Sequence, residues 1–335
     1  MADGYKDLSG MPRAYEDLAG LPDKLREALI AFDQEAEESL NAFVTELEQR
    51  KPPDILYHYT DDVGLKGILE SGKLRLTDIH NLNDPSELTH GYSHAIRIVN
   101  SLLAGKTPLH QRFANNFERF HSDGGIRESQ HCFVVCFSSN GNDLGQWRSY
   151  GDDGRGYALG FETASLEHAF ARSSGSANGQ SFWVTYDENR LFKLQHSVTS
   201  NLEKLISIAF DFEASGKVGE YLERLSQYLT VHCLRIGLLF KHEAYKNEGE
   251  YRFLELLSAE EGAGAAFNYR TRPYELVRYR EFEWKREAPH ALKQVVIGPA
   301  ANKEKAYIFL GACERAFLSG HPPLGRVISA TPYRA

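Results

Sequence analysis

The sequence of 335 residues has no long apolar run and few cysteines. No stretch approaches the roughly 20 apolar residues that a membrane-spanning helix needs. The N-terminal residues also lack the basic start and apolar segment of a secretion signal. Four scattered cysteines, Cys132, Cys136, Cys233 and Cys313, are too few for a disulfide framework. These absences predict a cytoplasmic protein that has free thiols and no membrane segment.

Several common catalytic motifs are missing as well. The chain has no GxGxxG or P-loop sequence for phosphate binding, and no GxSxG turn for a nucleophilic serine. His80, His90 and His94 include a pair four residues apart on a predicted helix, but the sequence offers no third ligand beside them. Cys132 and Cys136 share a predicted strand, where four residues span ~13 Å, which is too far for one zinc ion. No metal is therefore expected.

The balance of charge argues against a surface built for polyanions. The chain has 38 Lys and Arg residues against 46 Asp and Glu residues, a net charge of −8. The field of such a chain repels nucleic acid. The densest basic segment, residues 269–287, interleaves its arginines with glutamates, which is typical of a solvated strand face. Any contact with nucleic acid therefore has to be local.

The chain divides at the Pro52-Pro53 pair. Residues 1–51 are predicted to form a leader and an amphipathic helix or helices, and residues 52–335 a core with a helical insertion at about 190–245. The geometry of a residue that precedes proline disfavours a helix that continues through this point. A chain that starts near residue 51 is therefore expected to fold.

The N-terminal amphipathic segment carries one apolar stripe. Its apolar residues recur at helical spacing among acids and are Leu25, Leu29, Phe32, Leu40, Phe43 and Leu47. Such a stripe has to be buried, either within the chain or against a partner. The preferred interpretation is a homodimer or partner contact, and packing within the chain is the alternative.

The predicted strands are separated irregularly by helices. An unbroken apolar run at residues 132–137 suits a strand that is covered on both faces. A doubly wound parallel sheet would need a repeated strand–helix–strand order, which the sequence lacks. The sequence therefore predicts an α+β fold.

Polar side chains gather at the ends of the predicted strands. Alternation places Glu248, Glu250 and Arg252 on one strand face, where two carboxylates and a guanidinium are unusual for a core. They indicate either a functional site or an edge strand on which Arg252 pairs with Glu250. The other members of this set are His58 and Tyr59, then Asn83, Asp84 and Glu87 at an Asn-Asp-Pro corner, then Ser138, Trp147 and Tyr150. Asp84 can also serve only as a helix cap.

Six blocks of sequence resemble a known bacterial family. The blocks "LYHYT", "GKLRLTD", "LNDPSE", "CFSSN" with "WRSYGDDGRGYALGF", "EGEYRF" and "VVIGP" follow the order of domain-of-unknown-function family 2971. The resemblance covers residues 55–335. The first and last blocks are also similar to ADP-ribosyltransferases of the H-Y-E type, whose site combines a His, an aromatic residue and a late Glu. This resemblance implies a split, mixed or antiparallel sheet core with surrounding helices.

The same resemblance implies an activity and a site. The protein would use NAD as its substrate and transfer ADP-ribose to a protein, RNA or DNA, as toxins and phage-defence effectors of this fold do. Glu250 takes the role of the catalytic Glu with Glu248 as its partner, His58 that of the His, and Tyr150 that of the aromatic residue. The residues implied for NAD binding are His58, Tyr59, Thr60, Asn83, Asp84, Ser138, Trp147 and Arg252.

Two other functions fit the same residues. Oxygen ligands suit Mg²⁺, so a metal-dependent nuclease or hydrolase could use the carboxylates of Asp84, Glu87, Glu248 and Glu250. A module that senses a nucleotide without turnover is the second alternative. Such a module would keep His58 and tolerate the loss of Glu250.

Overall fold

The computed structural model describes residue 18 and residues 20–82, 87–122, 130–173 and 179–333. Within these ranges the chain forms twelve α-helices and ten β-strands, which confirms the predicted α+β class. The strands form one mixed sheet that does not close on itself. None of the helices in this part of the chain is both long and apolar enough to span a bilayer.

Helices and strands follow one another in an irregular order. The helices are α1 (Asp23–Glu48), α2 (Asp62–Ser71), α3 (Glu87–Leu103), α4 (Pro108–Ser122), α5 (Leu144–Tyr150), α6 (Thr163–Ser173), α7 (Glu188–Thr199), α8 (Leu202–Phe210), α9 (Val218–Leu238), α10 (Ala259–Gly264), α11 (Trp284–Glu287) and α12 (Lys303–Phe317). The strands are β1 (Ile55–Thr60), β2 (Leu74–Asp78), β3 (Gln130–Ser138), β4 (Tyr157–Glu162), β5 (Gly179–Trp183), β6 (Glu250–Ser258), β7 (Asn268–Arg272), β8 (Glu275–Phe282), β9 (Leu292–Ile297) and β10 (Gly325–Ile328). A 3₁₀ segment, Glu243–Glu248, precedes β6.

The sheet divides at β3. All nine residues of β3 pair with β6, so β1 and β2 have to share the other edge of β3. On that edge β1 reaches only Ser138, and β2 reaches only Phe133 and Val134. One arm of the sheet continues from β1 to β4, β9 and β10, and the other continues from β2 to β8 and β7. Residues 135–137 of β3 therefore lie opposite a gap between the two arms.

Both faces of the sheet are covered by helices. Along β3, Cys132 and Val134 contribute to a core shared with α1, α3, α4, α7, α8 and α9. The alternate residues Phe133, Val135 and Phe137 contribute to a second core shared with α2, α6, α11 and α12. Successive side chains of a strand point to opposite faces, so an unbroken apolar run is needed to supply both cores.

Helix α1 packs against helices of the same chain. Its apolar stripe is buried in the core that it shares with α7, α8 and α9. Two buried polar pairs join it to α9: His232 Nε2 lies 3.0 Å from Asp33 Oδ1, and Arg235 Nη2 donates to Glu37 Oε2 at 3.0 Å. The stripe on which the expected homodimer or partner contact rested is therefore covered within the chain.

Helices α3 and α9 cross where each has a glycine. A Cβ at Gly91 would lie 2.4 Å from the Cα of Gly237, closer than any side chain can approach a backbone atom. We expect Gly91→Ala to push the two helices apart and to lower the free energy of unfolding by about 1–3 kcal/mol, the range typical of overpacked cores. Urea denaturation of the wild type and the variant measures this loss.

The same crossing supplies a matched control. A Cβ at Gly237 would lie 3.5 Å from the Cα of Gly91, which is ordinary van der Waals contact. Because Ala also favours a helix by roughly 0.5–1 kcal/mol over Gly, Gly237→Ala should leave the free energy of unfolding unchanged or raise it. A loss of equal size in both variants would contradict the close approach at Gly91.

Candidate active site

A cleft of about 180 Å³ opens where the two arms of the sheet part beside β3. It brings together five residues that the sequence predicted for one site: His58 and Tyr59 from β1, Tyr150 from α5, and Glu248 and Glu250 before and at the start of β6. Its other aromatic and charged lining residues are Tyr57, Phe137, Arg75, Lys241, Arg270 and Arg272. The cleft therefore carries aromatic, acidic and basic groups together.

A second cavity, of about 270 Å³, lies between the end of α1 and β5. Its lining is mostly apolar and includes Trp183 and Glu167. Glu167 already accepts hydrogen bonds from Tyr251 and from Ser181, the latter at 3.1 Å. This cavity has three charged lining residues and the cleft has six, so we place the candidate active site in the cleft.

The two glutamates are held by buried cations. Lys241 Nζ donates to Glu248 Oε2 at 2.7 Å and to Glu250 Oε2 at 3.0 Å, so one ammonium bridges both carboxylates. Arg252 Nε donates to Glu250 Oε1 at 2.5 Å. Burial raises the pKa of the Glu250 carboxyl, but Arg252 and Lys241 together outweigh burial and lower the pKa to about 2. Glu250 is therefore a fixed negative charge.

The sequence left two interpretations of this strand face open, a functional site or an edge strand on which Arg252 pairs with Glu250. The pairing is present. Arg252 is 1% exposed, also donates to Leu238 O at 3.1 Å and does not line the cleft. The strand is not an edge, however, because β6 lies between β3 and β5. Arg252 thus anchors Glu250 from within the core, while Glu250 still borders the cleft.

His58 lies at the gap between the two arms. Its Nδ1 donates to the carbonyl oxygen of Cys136 at 3.1 Å, and its ring packs against Phe137 with a centroid distance of 5.6 Å. Burial lowers the pKa of the His58 ring more than the carbonyl of Cys136 raises it. The imidazole is therefore neutral at pH 7.

Tyr150 borders the cleft at the C-terminal end of α5. Asp143 caps the start of this helix by accepting a hydrogen bond from the Gln146 N–H at 2.9 Å. Burial raises the pKa of the Tyr150 hydroxyl, and Glu248 raises it further. Tyr150 is 37% exposed, so it offers a neutral aromatic surface to a ligand.

Several predicted ligand residues instead support the loop before α5. Tyr59 borders the cleft, but its hydroxyl donates to Asn140 O at 2.6 Å and accepts from Asp143 N–H at 3.0 Å. Trp147 is fully buried against Tyr59, with ring centroids 4.7 Å apart. Ser138 is buried and donates to Glu248 O at 2.7 Å. Neither Trp147 nor Ser138 lines the cleft, and neither does Thr60.

The structure describes little of the Asn-Asp-Pro corner. Asn83 and Asp84 lie outside the described residues, and of Glu87 only its place at the start of α3 is described. The predictions made for these three residues therefore stay predictions.

Sequence reasoning missed four cationic residues of the cleft, namely Lys241, Arg75, Arg270 and Arg272. The register of β2, β8 and β7 puts the three arginines on one face of that arm. Arg270 Nε is buried without a hydrogen-bond partner in the part of the chain that the structure describes. Burial lowers the pKa of Arg270, and the nearby charges of Arg272 and Arg75 lower it further. Clustered guanidinium groups of this kind suit an anion such as a phosphate.

Residues 146–253 match the family model of the proteins of unknown function DUF2971. The matched segment covers about a third of the chain and includes Tyr150, Lys241, Glu248 and Glu250. It supports the family resemblance over that segment, and the family description assigns no activity. No curated protein and no solved structure matches the chain.

Proposed function

We propose that the cleft binds NAD and that the protein transfers ADP-ribose from NAD to a macromolecular acceptor, either a protein or a nucleic acid. The observation that supports this proposal best is the distribution of charge around β3. Guanidinium groups line the cleft on the β2 arm, and a carboxylate pair lines it near the β6 edge. A dinucleotide with a central pyrophosphate and a cationic nicotinamide end is complementary to that arrangement.

Each part of NAD has a matching group in the cleft. Arg75, Arg270 and Arg272 would neutralise the pyrophosphate, because guanidinium groups bind phosphate oxygens strongly. His58 would bind the ribose on the adenosine side, and Tyr150 would stack on the nicotinamide ring. Lys241 holds the two carboxylates in position before any ligand arrives, as its two hydrogen bonds indicate.

The reaction needs stabilisation of a cation more than it needs a covalent nucleophile. The C–N bond between nicotinamide and ribose breaks, and nicotinamide leaves with the electron pair. The ribose carbon gains oxocarbenium character, which the fixed charge of Glu250 stabilises, as carboxylates do in glycosidases. An oxygen or nitrogen of the acceptor then bonds to that carbon, and its proton passes to Glu248.

The cations at the carboxylates argue against the nuclease alternative. A Mg²⁺ ion bound by Glu248 and Glu250 would need carboxylate oxygens that already accept hydrogen bonds from Lys241 and Arg252. Repulsion between the ion and two buried cations would weaken its binding. The nucleotide-sensing alternative keeps the same ligand and differs only in turnover.

The proposal predicts release of nicotinamide from NAD in the presence of EDTA. We expect Glu248→Gln to lower the rate by about 100-fold or more, because the neutral side chain can neither take the proton nor add to the negative charge at the reacting carbon. The fold should persist, since Lys241 keeps Glu250 as its partner. The assay is chromatographic detection of nicotinamide, together with calorimetric titration of NAD.

The matched control is Glu243→Gln, which changes an exposed carboxylate on the same 3₁₀ segment. Its rate should equal that of the wild type. Equal rates in the two variants would contradict the role of Glu248. NAD binding without any nicotinamide release by the wild type would support the sensing module instead, and cleavage of nucleic acid that EDTA abolishes would support the nuclease.

A further inference from the structure

Helices α3 and α7 bring two histidines and a carboxylate together outside the cleft. His90 and His94 lie one turn apart on α3, with ring centroids 5.1 Å apart. Glu188 is the first residue of α7, and ligand atoms of all three side chains lie within 4.8 Å of one another. The sequence showed only the histidine pair, because Glu188 follows 94 residues after His94 and joins it only in the fold.

One side of the cluster is accessible to solvent. The two histidines are partly buried, and the carboxylate of Glu188 is 47% exposed, which leaves one side open to water.

His242 supports the cluster from outside. Its ring lies 5.4 Å from that of His90, and its Nε2 lies 3.9 Å from Glu188 Oε1. Its Nδ1 accepts a hydrogen bond from the Ala244 N–H at 3.1 Å, so the neutral ring carries its proton on Nε2. His242 therefore faces Glu188 with a donor, which suits a residue that orients a ligating carboxylate rather than one that binds the metal itself.

We propose that His90, His94 and Glu188 form a site for a divalent transition metal, with Zn²⁺ as the best-fitting ion. Two imidazoles and one carboxylate are a known zinc ligand set, and water completes the tetrahedron. Tetrahedral ligands at ~2.1 Å from zinc lie about 3.4 Å apart, so the side chains have to close by roughly 1.4 Å at most. Rotation of the exposed Glu188 side chain can supply much of such a shift.

The other imidazole–carboxylate cluster of the described chain does not compete with this assignment. Asp33, Glu37 and His232 also place ligand atoms close together. However, Arg235 is paired with Glu37 there, so a buried cation already occupies the position beside those groups. The cluster of His90, His94 and Glu188, in contrast, has one side open to water.

A metal at this site would tie three segments together. It would join α3 to the start of α7, and through Glu188 it would restrain His242, which directly follows Lys241 in the chain. Lys241 in turn holds the carboxylates of the cleft. The metal site stands independently of the proposed transferase activity, since neither its ligands nor its test involves NAD.

The test is zinc binding by the full-length chain after treatment with a chelator. We expect the wild type to take up one Zn²⁺ per chain in competition with a chromophoric chelator, and its melting temperature to rise. His94→Ala should lower the affinity by more than the roughly 10- to 100-fold that loss of a supporting residue costs. His242→Ala should stay within that smaller range.

His290→Ala is the matched control, because His290 and His321 form another close histidine pair, with ring centroids 5.9 Å apart. Its zinc affinity should equal that of the wild type. Absence of tight zinc binding by the wild type would overturn the proposal. So would retention of the bound zinc in a folded His90→Ala, His94→Ala double variant, with folding checked by circular dichroism.

Discussion

Replacing Glu250 with Gln is expected to lower the free energy of unfolding by about 3–5 kcal/mol, because it removes the carboxylate that pairs with the buried Arg252 and one of the two that pair with Lys241. Glu250 is 3% exposed, and both Lys241 and Arg252 donate to its carboxylate. A Glu250 that served catalysis alone would lose activity on this change and keep its stability. The buried pairs make it a change in stability as well, which urea denaturation at pH 7 measures.

Glu255→Gln is the matched control for this loss. Glu255 lies on the same strand and accepts from Arg280 Nε at 2.6 Å, but the side chain of Arg280 is 29% exposed. Water can solvate the guanidinium of Arg280 once its partner is neutral, so a loss of only about 1 kcal/mol is expected. Equal losses in the two variants would show that burial of the cations around Glu250 has no special cost.

The stability difference should also depend on pH in one direction. The folded pKa of Glu250 lies below its ordinary value of 4.5, so ionised Glu250 stabilises the fold above pH 4.5. That contribution disappears as the pH falls through the folded pKa, where the wild-type carboxyl is neutral too. The curves for the wild type and Glu250→Gln should therefore converge at low pH.

Deleting residues 1–51 is expected to abolish cooperative unfolding. The six residues of the apolar stripe on α1 are buried within the chain, and loss of a single buried Leu or Phe side chain commonly costs about 2–5 kcal/mol. Together the six losses match or exceed the roughly 5–15 kcal/mol that stabilises a typical domain. The deletion would also leave His232 and Arg235 buried without Asp33 and Glu37. Differential scanning calorimetry and circular dichroism measure the outcome.

The Pro52-Pro53 pair led to the expectation that a chain starting near residue 51 folds. We now expect the opposite, because α1 precedes the proline pair and shares its core with helices that follow the pair. Deletion of residues 1–17, which leaves α1 complete, is the control and should retain a cooperative transition. Phe32→Ala provides a milder form of the test, with a loss of about 3–5 kcal/mol. A cooperative thermal transition in the chain that starts at residue 52 would show that α1 is not required for the fold.

Local sequence signals predicted much of the fold. Asp61 caps α2 by accepting from the Gly64 N–H at 2.7 Å, and Gly72 ends the helix in a left-handed conformation. Both features depend on neighbours in the chain, so the sequence contains them. The position of α1 depends on the apolar surface of α7, α8 and α9 instead. A hydrophobic stripe predicts burial, but it does not name the surface that covers it.

The candidate site shows the same division. His58 and Glu250 were predicted because they lie at the ends of recognisable strands. Lys241 was missed because no local sequence pattern places it beside Glu248 and Glu250. The three side chains come together only once the 3₁₀ segment after Lys241 has formed. The basic segment of residues 269–287 was expected to form a solvated strand face of mixed charge, and in it Arg280 pairs with Glu255 of β6. Arg270 differs because β7 turns its side chain into the cleft.

The hydrogen bond of His58 determines which kind of ligand group can pair with its ring. A carbonyl oxygen can only accept, so the bond to Cys136 fixes the proton of the neutral ring on Nδ1 and leaves a lone pair on Nε2. A ligand group at Nε2 therefore has to donate a hydrogen bond, which a ribose hydroxyl can do and a fully ionised phosphate ester cannot. An unmet acceptor of this kind costs about 1–3 kcal/mol, or roughly 5- to 150-fold in affinity. Within the proposed function, one backbone carbonyl thus favours a dinucleotide with a free 2′-hydroxyl over its 2′-phosphorylated form.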